Sequence, residues 1–108
     1  MNEAYDRVRL AELFGDDPGL LAEVERDFLD TARGAEREML GTDDLDAIAR
    51  AAHRLKGASG MIGAIGLGRI AEAVEGAAIA CDLPGVRRLR DRVSLEVQRV
   101  ADQVGPLR

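Results

Sequence analysis

Apolar residues recur along this chain at spacings of three and four, the interval that aligns one face of an α-helix. Glycine, proline and aspartate cut that pattern into five pieces. A short first segment runs from about Tyr5 to Phe14 and ends at Gly15. Asp16 and Asp17 then offer capping oxygens ahead of Pro18, a residue tolerated in a first helical turn. In the second segment Leu21, Val24, Phe28, Ala32, Ala35 and Met39 mark one stripe. Gly41 closes that helix, and Thr42 or Asp43 can cap the next. The third helix carries Leu45, Ile48, Ala52, Leu55, Ser59 and Ile62 on one face. The fourth carries Leu67, Ile70, Val74 and Ala78 and stops near Cys81 and Asp82. A Leu83-Pro84-Gly85 turn leads into a last stripe of Val86, Leu89, Val93, Val97, Val100 and Val104, with Leu95 exposed on the opposite side. Four helices of this length, joined by short loops, predict an all-α fold: an antiparallel four-helix bundle with a short N-terminal capping helix. No repeat, low-complexity tract or linker interrupts residues 1–108, which read as one domain.

Composition supports helices over sheets. Hydrophobic residues make up 46% of the 108 but aromatics only 3%, so the core is built from Leu, Ile, Val, Met and Ala. The net charge of −5, from 20 acidic and 15 basic residues, argues against a nucleic-acid binder, whose affinity comes mostly from cationic contacts with phosphates. No apolar run approaches the roughly 20 residues that span a bilayer. The first residues, Met1, Asn2 and Glu3, do not resemble a signal peptide. Cys81 stands alone and cannot form an internal disulfide, so the cytoplasm is the expected compartment. Met1 and the absence of a flanking linker suggest a free-standing protein, and a monomer is expected.

The chain holds one histidine, His53. At 100° per residue it points roughly 130° away from the apolar stripe of its helix, which disfavours a core role. An idle surface residue remains open on that geometry alone. Ala49, Gly57 and Gly60 share its face, at i−4, i+4 and i+7. Each glycine inside a helix costs about 1 kcal/mol relative to alanine. Gly57, Gly60 and Gly63 could allow close helix packing, mark the helix end, or clear space around the imidazole. Gly57 and Gly60 lie away from the stripe, so space for an approaching partner explains them better than core packing. Gly63 suits the helix end or a close approach of the next helix. Lys56, at i+3, is an ordinary solvated lysine or a charge suited to a phosphoryl group on the imidazole. Ser59 falls on the buried stripe, where its hydroxyl is expected to bond a helix carbonyl or a neighbouring helix.

From His53 to Leu67 the sequence reads H-R-L-K-G-A-S-G-M-I-G-A-I-G-L. It resembles the H-x-L-K-G-x-S-x-x-x-G-A-x-x-L signature of histidine phosphotransfer domains of bacterial multistep phosphorelays. Phe28-Leu29 in the second helix and Leu67…Val74-Glu75 in the fourth extend the likeness, while the last helix matches only in pattern. The resemblance implies that His53 accepts and donates a phosphoryl group at Nε2, that Lys56 supports the phosphoryl oxygens, and that Gly57 leaves room for a receiver domain. Ala49, Gly57 and Gly60 then form the docking face. Partners would be receiver domains of response regulators and hybrid histidine kinases. The family often carries a polar residue on a neighbouring helix that orients the imidazole, and the sequence does not place it here.

No G-x-x-x-x-G-K-[ST] loop or kinase pattern is present, so the expectation is a phosphocarrier without autonomous kinase activity. No spacing supplies a metal site, and Mg²⁺ is expected from the receiver. A non-phosphorylated helical adaptor is the alternative reading. A hydrolase is weaker still, because the acidic pairs Asp16-Asp17 and Asp43-Asp44 stand at helix starts, where capping explains them.

Overall fold

Among the residues that the structure describes, four of the five helices begin at an aspartate whose carboxylate accepts a backbone N–H of the first turn, a group that has no partner within the helix. The computed structural model describes residues 3–105, and among these there are helices and no strand. The helices are α1 (Arg7–Phe14), α2 (Pro18–Leu40), α3 (Leu45–Met61), α4 (Ile65–Ile79) and α5 (Leu83–Val104). Asp6, Asp17, Asp44 and Asp82 cap α1, α2, α3 and α5; α4 starts at Ala64 without a side-chain cap.

Helices α2 and α4 each pack against both α3 and α5, so the four long helices close a ring around one core, and α1 rests on α2. Phe28, Ala32 and Met39 meet Ile48, Ala52 and Leu55 there, with Leu67, Ile70 and Val74 from α4 and Val86, Val93, Val97 and Val100 from α5. The described residues extend over 44 × 25 × 24 Å. No helix among them is long and apolar enough to cross a membrane.

Three residues, Ile62 to Ala64, connect α3 to α4. Gly63 has φ +67°, the left-handed region that favours glycine, and a β-carbon there would stand 2.9 Å from Asp6 Cβ. It therefore ends α3 and also admits the N-terminal segment. That segment satisfies the end of α3: Asp6 N–H donates to the Ile62 carbonyl at 2.9 Å and Arg9 Nε to the Met61 carbonyl at 2.9 Å. Gln103 ties the same segment to α5, its Oε1 accepting from Ala4 N at 2.6 Å and its Nε2 donating to the Tyr5 carbonyl at 3.1 Å. Helix α4 then runs back along α3 closely enough that a β-carbon on Gly68 would lie 3.5 Å from Ser59 Cβ.

Four local expectations need correction. The first helix starts at Arg7, because Asp6 caps it while Tyr5 is buried as an anchor ahead of it. The cap of α3 is Asp44, which accepts from Asp46 N at 3.0 Å; Thr42 Oγ1 instead accepts from Asp44 N at 3.0 Å. Asp43 is drawn off by Arg87 and Arg90 of α5, whose bonds hold its carboxyl below the usual range. Leu83, Pro84 and Gly85 form the first turn of α5, and the chain reverses earlier, at Cys81 (φ 58°). Ser59 is buried, yet its Oγ has no hydrogen-bond partner, since Gly68 facing it offers no side-chain acceptor.

Candidate functional site

The stripe that buries Ile48, Ala52 and Leu55 of α3 turns His53 to the opposite side, where its side chain is 69% exposed. Its neighbour across the groove is Glu75 of α4. Glu75 Oε2 lies 2.8 Å from His53 Nδ1, and Oε1 lies 2.9 Å from Lys56 Nζ. One carboxylate thus holds both side chains that the sequence motif singles out, while being itself only 15% exposed.

The electrostatics reinforce this arrangement. The Lys56 ammonium is the main reason that Glu75 is held below the usual carboxylate range; partial burial opposes the shift and the His53 bond adds to it. Lys56 in turn is raised above its ordinary value, chiefly by the hydrogen bond to Glu75. Glu75 is therefore ionised at neutral pH and can only accept, so neutral His53 carries its proton on Nδ1. The lone pair is left on Nε2, for which no hydrogen bond is described. An exposed, oriented imidazole nitrogen of this kind is a nucleophile with its second nitrogen already anchored.

The remaining site residues separate. Ala49 is half-buried and lines a shallow depression of about 370 Å³ together with Arg50, His53, Arg54 and Glu75. Gly57 is exposed, and a β-carbon there would meet no heavy atom within 4 Å. The same holds for Gly60, but Gly60 lines a different groove, with Tyr5, Asp6 and Arg9. Gly57 thus borders the imidazole along α3, and Gly60 faces the end where α1 docks. Among the described residues, no three or more His, Cys, Asp or Glu side chains are grouped to hold a metal ion.

The family model for the Hpt domain matches residues 10–103. The chain belongs to the Hpt domain family. No curated protein and no solved structure is similar enough to the chain to count as a match. Within this Hpt domain, Glu75 is the residue that sequence reasoning missed. It was visible only as part of the Val74-Glu75 pair, yet a signal was available. His53 and Glu75 are 22 residues apart, and Ala64, midway between them, is the last residue of the α3–α4 connection. A helical hairpin that turns there brings those two positions side by side.

Proposed function

We propose that this Hpt domain is a phosphorelay intermediate in which His53 takes a phosphoryl group from the aspartyl phosphate of one receiver domain and passes it to the aspartate of another. The observation that carries the reading is the Glu75 carboxylate on His53 Nδ1, beside an exposed ring whose Nε2 is left unbonded. In this reading Nε2 attacks phosphorus in line with the leaving carboxylate. The new N–P bond forms as the P–O bond to the aspartyl carboxyl breaks, and the bonding pair leaves with that carboxylate. The Nδ1 proton stays in place, and the positive charge that spreads over the ring is met by Glu75. The reverse sequence returns the group to a receiver.

Lys56 supports the phosphoryl oxygens by swinging from Glu75 toward the new anion, a short move for a flexible four-carbon stem. Gly57 leaves room for the incoming receiver, and Ala49 extends the docking face, whereas Gly60, in the groove beside α1, lies outside it. Positioning and charge carry most of such a transfer, so a carrier needs neither a nucleotide site nor its own metal. Mg²⁺ belongs to the receiver in this scheme. The connections of three or four residues between the long helices support an antiparallel four-helix bundle capped by α1. A cytoplasmic monomer in a bacterial two-component system suits these features. Incubation with a phosphorylated receiver tests the reading. Label lost in acid, retained in alkali and absent from His53→Gln is expected; label that persists in that variant overturns it.

A further inference from the structure

The depression beside His53 does not end at the imidazole. Arg50 and Arg54 form part of its lining and also line a larger groove of about 500 Å³, where the end of α2 meets the start of α3. Arg37, Glu38, Gly41, Thr42 and Ala47 complete that groove. Its charge is lopsided. Glu38 is committed to Arg54, whereas the exposed guanidinium groups of Arg37 and Arg50 make no ion pair among the described residues. With Glu38 paired to Arg54, Arg37 and Arg50 leave this groove net positive beside the site, in a chain whose net charge is −5.

We infer that this groove is the partner-selecting arm of the docking surface, and that it takes a carboxylate-bearing segment of the receiver domain presented to His53. Arginine forks match carboxylates in two-point contacts, and two of them along an open groove fit an acidic chain segment better than an isolated small anion. Continuity with the His53 depression places that segment on the same partner that brings the phosphoryl group. Charge at such a rim acts mainly on the rate of encounter and on the choice of partner. The inference rests on reading His53 as the phosphoryl carrier, and the experiment separates the two.

The protein is labelled at His53 in parallel by phosphoramidate, a small donor that needs no docking, and by a panel of phosphorylated receiver domains from the same genome. The readout is the ratio of the fastest receiver-driven rate to the phosphoramidate rate. In Arg37→Glu/Arg50→Glu that ratio is expected to fall about tenfold or more at low salt and to lose most of its salt dependence. Arg37→Lys/Arg50→Lys should keep most of it. Arg69→Glu/Arg92→Glu, the same change of charge in a separate groove between α4 and α5, should leave it near the parent value. An unchanged ratio in the first variant, an equal fall in the control, or labelling by phosphoramidate but by no receiver overturns the inference. Failure of phosphoramidate to label His53 at all defeats the carrier reading instead.

Discussion

Two glycines in one motif should respond in opposite directions to the same substitution. Gly57 lies inside α3 with no positive φ, and a β-carbon there meets nothing within 4 Å. Alanine at that position costs no packing and restricts the unfolded chain, so Gly57→Ala should stabilise the fold by about 1 kcal/mol. For a domain of this size that is a rise in melting temperature of roughly 4–8 °C. Gly57→Glu should stabilise slightly less, by the difference in helix propensity. Gly63 has φ +67° and already stands close to Asp6. Gly63→Ala should lose about 1–2 kcal/mol from the left-handed backbone alone, before the N-terminal segment is displaced. Thermal melts followed by circular dichroism measure both signs. Phosphotransfer measures the reason for the first glycine. A side chain at position 57 that holds a receiver off by an ångström should slow transfer roughly 10²-fold, more for Glu than for Ala. A destabilised Gly57→Ala, or a stable Gly57→Glu that transfers at the parent rate, would refute the view that this glycine gives up stability for access.

Other consequences concern the Glu75 clamp and the core. Glu75→Gln should slow phosphotransfer by about 10–100-fold, taking as a guide the loss of carboxylates that orient metal-bound histidines, and the pKa of Lys56 should drop back toward its ordinary value in an NMR titration. Because the native pKa of Glu75 is lowered, its contribution to stability is complete above the unfolded value of 4.5 and disappears as pH falls through the native value. Acid melting curves should therefore be shallower in Glu75→Gln, and an identical slope would count against the clamp. The buried Ser59 hydroxyl has no partner, so Ser59→Ala should be neutral or stabilising by about 1 kcal/mol in chemical denaturation. Leu55→Ala, at a fully buried position on the core side of α3, should instead cost about 2–5 kcal/mol.

What sequence reasoning could reach, and what it could not, follows from the range of the interactions involved. The stripe from Ile48 to Ser59 is a property of one helix, so the buried face and the exposure of His53 both follow from spacing alone. Asp16 and Asp17 both offer capping oxygens ahead of Pro18, and of the two it is Asp17 that accepts from Gly19 N, at 2.9 Å. Helix starts with several candidate oxygens were harder. Thr42, Asp43 and Asp44 are all competent, and the choice of Asp44 depends on Arg87 and Arg90 reaching across from α5 to Asp43. Pro84 and Gly85 resemble a turn in isolation, but proline suits a first helical turn and Gly85 N–H is satisfied by the Asp82 carboxylate at 2.9 Å. Glu75 is legible only from the pairing of positions across the α3–α4 hairpin, not from its own helix. Its role lies in a contact between two helices, and periodicity within α4 says nothing about what stands opposite. The missing partner of Ser59 is of the same kind, since it turns on Gly68 being the residue that faces it.

Phosphoryl transfer by His53 in this arrangement depends on which imidazole nitrogen is free. Long-range ¹H–¹⁵N correlation of the His53 ring, recorded before and after treatment with phosphoramidate, observes this directly. The arrangement predicts a proton on Nδ1 beforehand and phosphorus coupled to Nε2 afterwards, with the Nδ1 proton retained. A proton on Nε2 in the resting protein, or phosphorus on Nδ1 after treatment, would contradict it.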